Sequence, residues 1–183
     1  MARPPEALCD DPFALLEALE AALRRSRQDA AAGEQNWSGL AFRVGDTWLV
    51  TPRGEVRESI MPPVLTRVPG ARPWLLGLAN VRGNLLPVTD LGGLLGVRLH
   101  ERKARENRVL VLNSDTVPAG FLVDEVAGHR QFSSADQSQA PAGDAASPWA
   151  PFVLSAFARE GRTWLAISLH RVAGSDTFVH AGT

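Results

Sequence analysis

The sequence predicts a mainly β fold preceded by one α-helix, on three observations. Beyond Trp37 the apolar residues fall into eight to ten short segments separated by turn residues. Strands of that size at intervals of roughly 8–12 residues suggest small barrels or a sandwich. Two-residue turn signals punctuate the segments. The only stretch with helical spacing, residues 12 to 28, lies ahead of all of them.

That stretch, PFALLEALEAALRRSRQ, has Asp11 placed to cap it and Pro12 at the first helical position. Leu16, Leu19 and Leu23 share one face, with Glu17 and Glu20 early and Arg24, Arg25 and Arg27 late, as the helix dipole favours. A linker to about Asn36 follows, so residues 1–36 read as an extension and 37–172 as the domain. The polar tail, 173–183, is expected to fray. From Trp37, GLAFRV alternates and turns at Gly45-Asp46 into TWLVT, a hairpin. EVRESI is a further strand. MPPVLTRVPGARP is rich in proline and glycine and reads as an irregular loop. WLLGLANV and NLLPVTDL are strands joined through Arg82-Gly83. Pro87 inside the second demands an edge or a bulge, because proline cannot donate to a ladder. RVLVLN is apolar on both faces and reads as buried. VPAGFLVDEV is one more strand. Ser133 to Pro151 is a long loop, anchored near its end by Trp149 and Phe152, and FVLSAFA and TWLAISL form the last hairpin.

Composition narrows the function. An apolar share of 45% suffices for a core. The formal net charge of −1 argues against nucleic acid as a partner, since such proteins carry a basic excess. Cys9 is the single cysteine, so no intrachain disulfide can form. No apolar run reaches the roughly 18 residues of a membrane helix, and the start has no signal core. The expectation is a cytoplasmic protein with no membrane insertion.

Candidate chemistry does not assemble. His100, His129, His170 and His180 form no metal-ligand spacing with one another, with Cys9 or with a carboxylate. Asp124 and Glu125 are neighbours on a strand and point to opposite faces. Gly92 to Gly96 lacks the lysine and spacing of a phosphate loop. The cluster His100 to Arg105 has no interleaved aromatic and reads as a solvated loop. No catalytic residue, cofactor site or metal site is expected. A small enzyme or ligand-binding barrel around His129, Asp124 and Ser168 is the rival reading.

Arg82 is the conspicuous residue. Its five donors can tie down their own loop by satisfying local carbonyls. They can equally serve as an exposed anchor in a protein contact, where arginine is enriched.

The stretch GLANVRGNLLPVTDLGGLLG, with Gly77, Asn80, Arg82, Gly83, Pro87, Asp90, Leu91 and Gly96, resembles the signature of the CheW family of chemosensory adaptors. Val56 and Glu58 match its Val-x-Glu segment, and Val123, Asp124 and Val126 its Val-Asp-x-Val strand. The wording around Arg82 and the N-terminal extension are most similar to the PilI subgroup, which serves type IV pili and twitching motility. The resemblance implies two intertwined five-stranded SH3-like barrels with no catalytic site. It implies a scaffold joining the regulatory domain of a CheA-type histidine kinase to the cytoplasmic tips of methyl-accepting chemoreceptors, in membrane-associated arrays. A flagellar chemotaxis pathway is the alternative setting. Carried over by motif, partner contact falls on Asn80, Val81, Arg82 and Gly83, with Val56, Glu58 and Val88 as neighbours. Two departures stand out: Gly92 and Gly93 follow Asp90-Leu91 where the family has a basic or polar residue. ISLHRVAG, with Ser168 and His170, replaces the closing Leu-Asp motif and puts any partner surface there in doubt.

Overall fold

The computed structural model describes residues 37–97, 106–138 and 147–181. The expected helix at 12 to 28, Cys9, the His100–Arg105 cluster and the middle of the 133–151 loop lie outside the described residues.

The strands are β1 Trp37–Val44, β2 Thr47–Pro52, β3 Val56–Ile60, β4 Leu75–Val81, β5 Asn84–Asp90, β6 Arg108–Leu112, β7 Gly120–Val123, β8 Glu125–Phe132, β9 Gln137–Ser138, β10 Val153–Arg159 and β11 Arg162–Ile167. Among the described residues two short α-helices follow strands, α1 Leu91–Leu94 and α2 Leu169–Ala173, and a third, α3 Asp176–Val179, follows α2. Sheet one has the order β8-β1-β2-β11-β10-β9 and sheet two β3-β6-β7-β5-β4. The chain builds β1 and β2 of sheet one, crosses to make all of sheet two, and returns for β8 to β11. The parallel pair β2/β11, one strand made before the excursion and one after it, is the mark of that interleaving. Sheet two has the five strands expected. Sheet one has a sixth, because β9 adds a two-residue pairing to β10.

Strand alternation makes three cores. Ala41, Val50, Phe132, Phe157, Trp164 and Ala166 fill the inside of sheet one. Ala79, Leu86, Val88, Val109, Val111 and Leu122 fill sheet two. Residues one step along the same strands face the opposite way. Leu40, Phe42, Leu49, Leu110, Phe121, Val123 and Ile167 join Leu91, Trp149 and Leu169 in a third cluster between the sheets. This is why RVLVLN is apolar on both faces: Val109 and Val111 face inward while Leu110 and Leu112 face the other sheet. The anchoring of the long loop by Trp149 and Phe152, both in that shared cluster, is as expected.

Each sheet curls enough for an arginine at or near one edge to reach the opposite edge strand. In sheet two, Arg82 after β4 reaches Glu58 on β3, at the opposite edge, at 2.7 Å. In sheet one, Arg159 Nη1 at the end of β10 donates to the Gln131 carbonyl of β8 at 2.6 Å.

Several local expectations need correction. Pro87 occupies neither an edge strand nor a bulge. Its cross-strand partner Leu78 spends its own N–H and C=O on Thr66, so Leu78 and Pro87 face each other as a non-hydrogen-bonded pair. Proline's missing donor therefore points to the other side, where β7 begins only opposite Val88. The expected strand from Val117 to Val126 breaks at Asp124, whose carboxylate accepts from Gly45 N at 2.6 Å and so braces the β1–β2 turn. Glu125 instead pairs with Arg43 at 3.1 Å. The tail does not fray at Val172. Ser175 caps α3, and Phe178 stacks on Trp74 and packs against Phe121.

Candidate functional site: a corner and a groove

The β4–β5 connection has two residues, both at positive φ: Arg82 at 52° and Gly83 at 85°. This is the geometry of a type I′ hairpin turn, whose twist matches that of the strands it joins. Glycine takes the second position without cost and arginine does not. Asn80 stabilises the turn by accepting the Gly83 N–H at 2.9 Å. The loop is thus tied down by Asn80, which frees Arg82 for another task. Its guanidinium crosses to Glu58, yet the Arg82 side chain is 79% exposed and that of Glu58 only 22%. Glu58 is the seated partner and Arg82 the presented one. An exposed pair of this kind contributes about 0.2–1 kcal/mol to stability, so the corner is not what holds the domain together.

A cleft lies beneath the corner, lined among others by Arg57, Glu58, Val81, Arg82, Leu85 and Asp115. Leu85 is 67% exposed. The cleft therefore offers apolar contact flanked by both signs of charge. Arg57 and Asp115 make a second exposed ion pair there, at 3.3 Å. Of the residues expected to make contact, Asn80 and Gly83 are exposed, Val81 and Glu58 half-buried, and Val56 half-buried against the inter-sheet core. Val88 is the exception. It is 0% exposed inside sheet two, because the two-residue period that turns Leu85 outward turns Val88 inward. Val88 supports the wall of the site from behind and touches no partner in this conformation.

Sequence reasoning missed a second feature. An apolar groove runs along Val68, Pro69, Trp74, Leu78, Pro87, Phe178 and Val179. The irregular loop forms one bank and the C-terminal helices the other. The groove depends on the residues expected to fray, which is why it was not foreseen. Aromatic Trp74 and Phe178 either side of the signature were its only signal. The departure at Gly93 belongs to the same region. A β-carbon there would sit 3.2 Å from the Asp90 carboxylate, which caps α1 by accepting Gly93 N, and 3.3 Å from Trp74. Glycine lets α1 lie against Trp74, and the lone Asp90 of the signature is a helix cap.

The rival catalytic set is not brought together. Asp124 is buried against Gly45, and Ser168 caps α2 by accepting Arg171 N. His129 lines an open cleft with Arg130, Phe132, Arg159 and Trp164, which neither of the other two lines. Among the described residues no three His, Cys, Asp or Glu stand close enough to hold a metal ion, and no helix is long and apolar enough to cross a membrane.

The CheW-like domain family matches residues 38–176. Protein PilI of Pseudomonas aeruginosa is 40% identical over 172 residues, which is 92% of this chain and 94% of PilI. Protein FrzA of Myxococcus xanthus is 33% identical over 64% of this chain and 74% of its own. In fold, the chain is similar to the scaffolding protein TtCheW from Thermoanaerobacter tengcongensis, with a TM-score of 0.66 over 78% of this chain and 96% of that one, at 18% identity. The extent of the family match and of the PilI identity settles the assignment: the chain belongs to the CheW-like family of chemosensory adaptors.

Proposed function

We propose that this protein is a non-catalytic adaptor that joins methyl-accepting chemoreceptors to a CheA-type histidine kinase, in a pathway controlling type IV pili and twitching motility. The similarity to PilI along nearly the whole chain favours the pilus pathway over flagellar chemotaxis. The observation that carries the adaptor reading is the Arg82 corner. It holds an exposed guanidinium oriented by a seated carboxylate above a cleft that includes exposed Leu85. Such a surface is built for gripping, with a charged anchor of the type enriched at binding hot spots beside apolar area. In this reading Asn80, Val81, Arg82 and Gly83 make the contact, Val56 and Glu58 flank it, and Val88 backs it. The receptor tip is its occupant, and the kinase regulatory domain docks elsewhere on the surface. No cofactor takes part, and the protein works in the cytoplasm at receptor arrays.

A scaffold of this kind transmits a bias, not a reaction. Couplings in allosteric systems are typically about 1–3 kcal/mol, and repetition in an array multiplies weak contacts into avidity. The test is reconstitution of the full chain with a CheA-type regulatory domain and a receptor signalling fragment, read by co-purification and titration calorimetry. Binding of both, separately and together, is expected. Failure to bind either partner ends the adaptor reading.

A further inference from the structure

The chain closes on Ser168 where the family resemblance sets an acid, and the structure supplies that acid from elsewhere. Helix α2 begins at Leu169, so the first-turn N–H groups of Leu169, His170 and Arg171 need partners outside the helix. Arg171 N donates to Ser168 Oγ at 3.2 Å. Leu169 N donates to Glu55 Oε2 at 2.6 Å, and His170 N to the same oxygen at 3.4 Å. The Ser168 hydroxyl spends its single proton on Glu55 Oε1 at 2.7 Å. Thr51, wholly buried at the end of β2, donates to Oε2 at 2.9 Å. One carboxylate from 113 positions upstream thus shares the capping of α2 with Ser168, taking the first two N–H groups while Ser168 takes the third.

Glu55 also sits at a junction. It ends the short 3₁₀ turn Arg53–Glu55, through which the chain crosses from sheet one to sheet two. Sheet two grips the backbone of that turn: Asn113 N donates to the Glu55 carbonyl at 2.8 Å, and Asn113 Nδ2 to the Gly54 carbonyl at 2.9 Å. Val56, the next residue, starts β3, and Glu58 lies two further on, holding Arg82. On the other side, α2 leads directly into α3, whose Phe178 stacks on Trp74 at the apolar groove.

We infer that Glu55 is a positioning residue that pins the sheet crossing to the terminal helices, so that the Arg82–Glu58 corner and the apolar groove move as one body. The chemistry suits the role. An ionised carboxylate accepting from a hydroxyl and from helix N–H groups makes charge-assisted bonds, roughly twice as strong as neutral ones. It stands at the positive end of α2 besides. The physical path is contiguous: corner, β3, Glu55, α2, α3, groove. The inference holds whichever partner occupies either surface.

Hydrogen exchange on the full-length chain tests it without any partner. In Glu55→Ala, the amides of Leu169 and His170 lose their acceptor. The pin predicts that Val56 to Ser59 in β3 and Phe178 and Val179 in α3 also exchange faster, by about tenfold or more, while the β10–β11 hairpin keeps its protection. Acceleration confined to residues 169–171 overturns the inference, since Glu55 is then a local cap. Uniform acceleration over both sheets overturns it too. Adding Ser168→Asp to Glu55→Ala returns an acid to the helix but none to the crossing. Protection is expected to return at 170 and 171, the N–H groups an N-cap side chain reaches, and not at β3; its return at β3 contradicts the pin. If Glu55→Ala does not fold, Glu55→Gln takes its place. The amide keeps the shape and one acceptor oxygen, and the same spatial pattern is expected at smaller amplitude.

Discussion

The two sheets close in the same way, and the comparison of their seams separates what is structural from what is functional. Each seam is bridged by an arginine at a two-residue turn with both φ angles positive: Arg82 is the first turn residue, and Arg159 immediately precedes its turn. The turns are Arg82-Gly83 in sheet two, at 52° and 85°, and Glu160-Gly161 in sheet one, at 55° and 70°. A charged residue occupies the left-handed first position in both, so backbone strain does not distinguish them. The acceptors do. Arg159 bonds the Gln131 carbonyl, a neutral group fixed in the backbone. Arg82 bonds the Glu58 carboxylate, a side chain that substitution can remove or reverse. The clefts at the seams differ as well. The one in sheet one sets His129, Arg130, Arg159 and Glu160 around Phe132 and Trp164, whereas that in sheet two sets exposed Leu85 among two arginines and two carboxylates. A carbonyl-locked arginine serves its own sheet. A carboxylate-oriented and largely exposed one remains available to a partner.

The largest expected effect breaks the symmetry directly. Arg82→Glu sets two carboxylates face to face across the sheet-two seam. Receptor-fragment affinity is expected to fall by about 2 kcal/mol or more, roughly 30-fold. Circular dichroism should show the domain still folded, because the exposed bridge contributes less than about 1 kcal/mol. The swap Arg82→Glu with Glu58→Arg restores the bridge but places the cation on the less exposed side, so only partial recovery is expected. Arg159→Glu has no corresponding swap and should leave receptor affinity unchanged. An unfolded Arg82→Glu protein would mean that the corner braces the fold.

Next in size is the pair Gly83→Ala and Gly161→Ala. A β-carbon meets nothing within 4 Å at either position. Both substitutions therefore cost only backbone strain, about 1–2 kcal/mol. Equal losses in denaturant midpoint are expected from the two variants, with receptor affinity reduced by Gly83→Ala alone. A loss of affinity in both would place the partner on both seams.

The legible parts of this molecule were those governed by local periodicity. The β1–β2 hairpin, the Arg82-Gly83 turn and the two-faced RVLVLN strand follow from alternation and turn chemistry, and the structure has them where the residues put them. The illegible parts depend on partners far along the chain. Nothing near Ser168 announces that its acid comes from Glu55. Nothing in the polar tail announces that Phe178 will find Trp74. Val88 is a different case. The resemblance carries it over as a neighbour of the contact, whereas strand alternation, applied from exposed Leu85, turns it inward. Among the candidate residues, the turn and its carboxylate partner were readable from motif. The groove was not, because it is made by the ends of the domain.

A smaller effect sharpens the structural half of the comparison. Arg159→Ala removes the bond to the Gln131 carbonyl and is expected to cost about 1 kcal/mol in denaturant unfolding. Arg82→Ala should cost less, since its partner remains hydrated when freed. The reverse order would assign the structural role to the wrong seam.

The smallest effect concerns pH at the sheet-one seam. Asp136 closes a capping box after β8: Ser133 N donates to its carboxylate at 2.8 Å and Ser133 Oγ at 3.0 Å. The backbone N–H bond first, and the hydroxyl bond second, hold the Asp136 carboxyl below its ordinary value of 3.8; burial opposes them, and the Arg159 charge adds the least. Folding thus lowers the proton affinity of this group. Its contribution to stability is complete above pH 3.8 and is lost as pH falls through the lowered folded value. Carboxyl chemical shifts followed through an acid titration should put the Asp136 midpoint below 3.8 in the native chain. They should move it upward in Ser133→Ala and, by less, in Arg159→Ala. A midpoint unmoved by Ser133→Ala would show that the hydroxyl bond is not among its causes and leave the backbone N–H, which the substitution keeps, as the cause. The turn at the sheet-two seam has no such titrating brace, because there the neutral amide of Asn80 accepts the Gly83 N–H.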